Sequence, residues 1–236
     1  MIAVILQPSY IPWRGYFDQV RRADSFIFYD DVQYDKHGWR NRNQIKTANG
    51  MQWLTIPVHS AGVTGGIPIR EVRIDWSKAW PKNHLKALTT AYSKAPFFRD
   101  HRPLLDSIYG RQDQFIADFT IATTKEIAAE LRLHGRQFLR SSEMTGITGK
   151  KTDRLIQILQ RVGASHYVSG PAARGYIEAE AFAEAGITLE YMQYDYPEYR
   201  QLYPPFEPKV SVLDLLFMTG DKAFQYIAQR EAADES

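Results

Sequence analysis

Two short apolar runs near the start of the chain, Ile2 to Leu6 and Phe26 to Tyr29, constrain the fold most. Each has the length of a buried strand and is too short for a helix. Between them, Tyr16, Phe17 and Val20 recur at helical spacing, while Arg14, Asp18, Arg21 and Arg22 take the opposite face. That pattern predicts a helix over Trp13 to Ala23. Strand, loop, helix and strand make a βαβ start, whose site is expected where strands end and loops begin. Both runs stop at polar residues, Gln7 after the first and Asp30 with Asp31 after the second. These residues are expected to face a crevice rather than the core.

Further along, Gln44 to Lys46 and Met51 to Val58 flank Asn49-Gly50, a strong turn signal, and predict a hairpin. Ser60 to Gly66 reads as a flexible loop, and Ile69 to Ile74 as a half-exposed strand. The pattern then turns helical over Lys82 to Ser93, Arg102 to Tyr109 and Asp113 to Leu133, which Gly135 stops. A second αβαβ run follows: strand Gln137 to Arg140, helix Thr152 to Val162, strand His166 to Ser169, helix Ala179 to Ala185 and strand Thr188 to Tyr194. Tyr196 to Pro208 is a Pro- and Tyr-rich loop. Ser211 caps a helix ended by Gly220, Asp221 starts a last one, and Ala232 to Ser236 is expected to fray.

Strands and helices alternate at both ends, so the expected class is α/β with one mainly parallel sheet. We read a single domain over residues 1–236, with residues 1–75 and 136–236 as its core and 76–135 as an inserted helical region.

Composition narrows the function. A net charge of +2 and no charge run argue against a nucleic-acid partner. The absence of cysteine excludes disulfides and thiolate chemistry. No basic leader precedes the first apolar run, and no run reaches membrane-span length, so a cytoplasmic location is expected. The histidines His37, His59, His84, His101, His134 and His166 show no metal-ligand spacing, so no zinc site is expected.

Several stretches carry chemistry. Trp13-Arg14-Gly15-Tyr16 follows the first strand and opens a helix, where backbone N–H groups suit an anion. In nucleotidylyltransferases of the HIGH type, a His/Thr-x-Gly-His motif stands at this place and holds ATP phosphates. Gly15 matches its glycine, but Trp13 and Tyr16 stand where the histidines would be. Asp30 and Asp31 could bind Mg²⁺, accept hydrogen bonds from a hydroxylated or amino substrate, or simply be solvated at a strand end. Lys36, Arg40 and Arg42 with Asn41 and Asn43 form a donor cluster suited to phosphate, or a solvated loop. His84 could move a proton or be structural. Lys150 and Lys151 precede a helix and could close over a triphosphate. Ser169, Arg174 and Tyr176 flank a turn after a strand and could face the same crevice. Neither Gly-x-Ser-x-Gly nor a Walker A loop occurs.

Taken together, Gln7-Pro-Ser-Tyr10-Ile-Pro-Trp13-x-Gly15-Tyr16-Phe17, Asp30-Asp31-Val-Gln33-Tyr-x-Lys36 and Trp39-x-Asn41-Arg42-Asn43 resemble the opening of the WbqC-like proteins. Trp53-Leu-Thr-Ile-Pro57-Val, Tyr92-Ser-Lys-Ala-Pro96-Phe-Phe98, Ser141-Ser142-Glu143, Tyr167-x-Ser169-Gly170 with Tyr176, and Ser211-Val-Leu-Asp214 extend the resemblance over nearly the whole chain. The resemblance implies a role in bacterial O-antigen or capsule precursor synthesis. The fold expected beside it is Rossmann-like, of the HUP/nucleotidylyltransferase kind. The activity we weigh first is an acyl or aminoacyl transfer. It would form an amide between a small carboxylate activated by ATP and a nucleotide-linked amino sugar. Asp30 and Asp31 would hold Mg²⁺ or orient the amine, His84 would move a proton, and the remaining residues would bind phosphate or substrate. A non-catalytic nucleotide-sugar-binding or scaffold protein is the alternative, and a homo-oligomer is compatible with either.

Overall fold

The computed structural model describes residues 1–59 and 66–228. Strand β1 (Ile2–Leu6) runs through a loop into helix α1 (Arg14–Arg22) and strand β2 (Ser25–Phe28). The hairpin β3 (Arg42–Thr47) and β4 (Gly50–Thr55) follows, turning at Gly50 with φ +97°, where glycine carries no Cβ penalty. Three helices come next, α2 (Trp80–Tyr92), α3 (Arg102–Gly110) and α4 (Ile116–Glu130). The remainder is β5 (Gln137–Arg140), α5 (Lys151–Arg161), β6 (His166–Ser169), α6 (Ala179–Glu184), β7 (Thr188–Tyr191) and α7 (Val212–Thr219).

The five-stranded sheet has the order β5-β2-β1-β6-β7, and every neighbouring pair is parallel. Its side chains alternate between two layers, as strand geometry requires. Val4, Phe26 and Phe28 join the core that holds Phe17 and Val20 of α1, Leu88 and Tyr92 of α2, Phe119 of α4 and Phe217 of α7. Ala3, Ile5 and Ile27 face the other way, onto Leu155, Ile158 and Leu159 of α5 and Phe182 of α6. Each fully buried aromatic or aliphatic side chain here contributes roughly 1.5–3 kcal/mol. The chain leaves β1 toward β2 on one side and later returns to place β6 on the other. The crevice beyond the carboxyl ends of β1 and β6 is therefore a topological switch point, the usual ligand position in open α/β sheets.

One predicted strand is overturned. Ile69 to Ile74 is a short 3₁₀ turn over Ile69–Glu71 followed by isolated bridges, Val58 to Ile74 and Arg73 to Phe115. Ile69, Val72 and Ile74 are buried, so an apolar pattern that fits alternation at its end is also satisfied by a turn. Its backbone groups find single partners instead of a ladder: Ile69 N–H donates to Val32 and Arg70 N–H to Asp30. The predicted helix from Asp113 begins only at Ile116, because the backbone just before it is extended and bonds elsewhere: the Gln114 carbonyl accepts from Ile74 N–H and Phe115 bridges to Arg73. The strand from Thr188 ends at Tyr191, and the segment from Asp221 is 3₁₀ rather than α-helical. The predicted loop at 60–65 and the frayed tail lie outside the described residues.

Candidate functional site

At the switch point the structure opens a cleft of about 500 Å³. Leu6 ends β1, Ser9 and Pro12 come from the loop after it, and Trp13, Tyr16 and Gln19 come from the start of α1. Trp39 and Arg40 enter from the segment before β3 and Asn43 from β3 itself, Gly170 and Ala172 follow β6, and Tyr194 and Lys209 come from the C-terminal segment. The lining holds two cations and no carboxylate or histidine.

The loop over this cleft is strained and clamped. Buried Ile11 has φ +34°, a region that β-branched residues rarely adopt and that costs about 1–3 kcal/mol. Asn43 holds it there: Nδ2 donates to the carbonyls of Tyr10 at 3.1 Å and Ile11 at 2.8 Å, and Oδ1 accepts from Gln44 N–H at 2.7 Å. Trp39 adds its carbonyl as acceptor for Tyr10 N–H at 3.1 Å. The first turn of α1 is equally tight. A Cβ on Gly15 would sit 2.3 Å from the Trp13 indole, so only glycine admits the ring. That indole meets Tyr194 edge-on at 4.8 Å, and Tyr194 accepts a hydrogen bond from Gln19 Nε2 at 3.2 Å.

Arg40 is the cleft's unusual residue. Its Nη1 donates to Gln7 Oε1, while its buried Nε has no hydrogen-bond partner. Among the described residues it forms no ion pair. Burial pushes its pKa down, and the neighbouring Tyr16, Asp35 and Tyr34 push the other way. A guanidinium remains charged in either case. A largely desolvated cation with no carboxylate partner and a buried unpaired Nε is costly by itself, and its guanidinium in the cleft lining suits an anionic oxygen.

Neighbouring strand ends, those of β2 and β5, show the opposite state. Asp30 is fully buried and fully used. Oδ2 accepts from Arg140 Nε at 2.7 Å and Ser142 Oγ at 2.8 Å, and Oδ1 from Ser142 N–H at 3.1 Å and Ser141 Oγ at 3.3 Å. Arg140 also reaches Asp118 on α4 at 2.7 Å. Asp31 accepts from Ser141 Oγ at 2.6 Å and pairs with Arg154 of α5. The network ties β2, β5, α4 and α5 together.

The family model for the WbqC-like proteins matches residues 7–226 of the chain. The chain belongs to the WbqC-like protein family. It is also 42% identical over 225 residues to the uncharacterized protein Rv1507c of Mycobacterium tuberculosis, covering 94% of this chain and 96% of that protein. No solved structure matches.

In this WbqC-like protein the residues singled out from sequence divide into several groups. Trp13, Tyr16 and Asn43 line the cleft. Gln7 lies behind it as the acceptor for Arg40, and it also accepts from Tyr16 Oη through its carbonyl at 3.3 Å. Gly15 lies beneath the Trp13 indole, and Tyr16 N–H already donates to the Trp13 carbonyl, so the helix start serves packing more than anion capture. Asp30 and Asp31 do not meet the cleft lining. Their oxygens are committed to arginines and serines, which does not fit the expected Mg²⁺ pair. Among the described residues, no group of three or more His, Asp or Glu could hold a metal ion.

His84 is a buried core residue rather than a proton carrier at the cleft. Its Nδ1 meets Tyr10 Oη at 2.8 Å, and Tyr10 Oη meets Tyr109 Oη at 2.7 Å. Burial lowers its pKa to about 4, so it is neutral at pH 7. Asn41 is buried and donates to the Ile56 carbonyl at 2.8 Å. Arg42 stacks on Trp53 at 4.6 Å, outside the cleft lining. Gln33, Lys36, Lys151 and Tyr176 are exposed and lie apart from the lining, while Ser169 is buried one residue before Gly170. Sequence reading missed Tyr194 and Lys209, which carry no local motif and reach the cleft only through the fold. It placed Arg40 in a donor cluster without singling it out from Lys36. Among the described residues, no helix is long and apolar enough to cross a membrane.

Proposed function

We propose that the cleft binds a nucleotide-linked sugar, in an enzyme of bacterial surface-polysaccharide biosynthesis. The observation that carries this reading is Arg40, a desolvated guanidinium without a carboxylate partner at the switch point of a parallel sheet. A diphosphate supplies the missing anion, and Lys209 adds a second positive charge at the same opening. Trp13, Tyr16 and Tyr194 offer aromatic walls for a base or sugar ring. The strand order supports a Rossmann-like reading of residues 1–75 and 136–236, with residues 76–135 as the helical insertion.

Within this reading the reaction is amide formation on an amino sugar. The neutral amine nitrogen attacks an acyl carbon activated as an acyl phosphate or acyl adenylate, phosphate or nucleotide leaves, and the nitrogen's proton passes to the departing phosphate or to water. This chain's residues would fix the sugar nucleotide and keep the amine oriented. No step is assigned to Mg²⁺, since Asp30 and Asp31 are already paired. One observation favours the second reading, a non-catalytic nucleotide-sugar binder: the lining holds no carboxylate or histidine to act as a base.

Calorimetry with UDP, dTDP and GDP and their hexose conjugates tests the binding claim, and Arg40→Ala should weaken any binding seen. Incubation with ATP, Mg²⁺, a panel of amino acids and an amino-sugar nucleotide separates the two readings. Amide product with pyrophosphate or phosphate release supports the enzyme, and binding without turnover supports the binder.

A further inference from the structure

Trp53 on the hairpin and Trp39 in the loop before it form an aromatic pair that the cleft alone does not explain. Trp39 lines the cleft yet is 44% exposed, and Trp53 on β4 is 43% exposed. Their ring centroids lie 5.3 Å apart with 32° between the planes. Leaving two indoles in water forgoes much of the burial that makes tryptophan worth placing. Exposed aromatic surface continuous with a cleft marks a place where something docks.

The surroundings point to what docks. The pairing register sets Gln44 directly opposite Trp53, and Arg42 opposite Thr55. Residues paired in this way share one face of the ribbon, so indole, amide, hydroxyl and guanidinium are neighbours. The Arg42 guanidinium lies 4.6 Å from the Trp53 ring centre. It donates to the His37 carbonyl, and its buried Nε has no partner. Exposed indole surface beside hydrogen-bonding groups suits a pyranose ring, which presents C–H bonds on its faces and hydroxyls around its edge. A protein partner would call for a larger apolar area than two rings in a polar surround.

We infer that Trp39 and Trp53, with Arg42 stacked on the Trp53 ring and Gln44 and Thr55 beside it, form a docking surface for the hexose of a sugar nucleotide whose diphosphate lies against Arg40. The inference rests on the nucleotide-sugar reading of the cleft for its occupant. It adds a specificity element: Arg40 holds what all sugar nucleotides share, and the docking surface reads the sugar.

The test is a calorimetric comparison of UDP-glucose and UDP-N-acetylglucosamine with UDP, and of dTDP-glucose and GDP-mannose with dTDP and GDP. Wild-type protein should bind at least one sugar conjugate roughly five- to tenfold more tightly than its bare diphosphate. Trp53→Ala, at an exposed strand position, should erase that preference and leave diphosphate affinity unchanged. Trp53→Phe, which keeps a ring, should retain most of it. Equal affinity for diphosphate and conjugate, or a preference that survives Trp53→Ala, overturns this inference alone. Failure of every diphosphate and conjugate to bind overturns the cleft reading and this inference with it. Sedimentation showing a dimer that Trp53→Ala dissociates would assign the face to a second copy of the chain instead.

Discussion

Two clusters of charge lie at the carboxyl edge of the same sheet, and they are built in opposite ways. At the ends of β2 and β5, Asp30 and Asp31 meet Arg140, Arg154, Ser141 and Ser142, and Asp30 has every oxygen hydrogen-bonded. Beside β1 and β6, Arg40 stands in a cleft without a carboxylate and with one donor unspent. A saturated network has nothing left to offer a ligand and acts as a fastener. An unsaturated one is a cost to the fold that a ligand can relieve. The difference teaches that polar residues at strand ends are not equivalent signs of a site: what counts is whether their partners are already in the chain.

Substitutions can break or sharpen this contrast. The largest effect is expected on the saturated side. Asp30→Ala removes a fully buried carboxylate with its bonds to Arg140, Ser141 and Ser142, leaves half-buried Arg140 only Asp118, and should cost about 3 kcal/mol in a urea unfolding experiment. A loss below about 1 kcal/mol there would mean that the network is not a fastener. Next, Asn43→Ala removes the clamp on the strained Ile11 turn and leaves two carbonyls without their donor and the Gln44 N–H without its acceptor. It should cost about 2–3 kcal/mol and weaken ligand binding together with stability. Gly15→Ala forces the Trp13 indole aside and should cost about 1–3 kcal/mol, seen as a lower Tm with a changed tryptophan emission spectrum.

His84 gives a pH test away from both clusters. Its folded pKa, about 4, lies below the ordinary histidine value of about 6.5. The unfolded chain therefore binds the proton more readily between these values, and stability from the buried neutral ring is lost as pH falls from about 6.5 to 4. Asp18 and Asp214, whose pKa values burial raises, act in the opposite direction, so the comparison must be made within a pair of proteins. Wild type should lose about 3 kcal/mol more over that interval than His84→Phe, measured by urea unfolding at each pH. Parallel pH profiles would show that the ring is solvated.

Much of the fold is legible from local pattern. The runs Ile2–Leu6 and Phe26–Tyr29, the Asn49-Gly50 turn, and Leu155, Ile158 and Leu159 each carry a local signal, and each forms the expected element, the second strand ending one residue early at Phe28. The stretch Ile69 to Ile74 misled because buried Ile69, Val72 and Ile74 serve a turn as well as a strand. The site is less legible. Asp30 and Asp31 look like open carboxylates until β5 is placed beside β2, which brings Arg140 and the two serines from 110 to 112 residues away. Gly15 resembles an anion-binding glycine until the Trp13 ring is seen over it. Lys209 and Tyr194 come from a segment without regular structure, and nothing local marks them. In each case the missing information is a long-range pairing.

Arg40 decides the account. Wild-type and Arg40→Ala proteins should be titrated with UDP-sugars, dTDP-sugars and GDP-sugars by calorimetry, with urea unfolding of both alongside. The expected result is binding in wild type, a loss of about 2–5 kcal/mol in the variant, and stability equal to or above wild type, because an unpaired desolvated charge has been removed. Undiminished binding by Arg40→Ala, or a variant that unfolds as readily as Asp30→Ala, would contradict it.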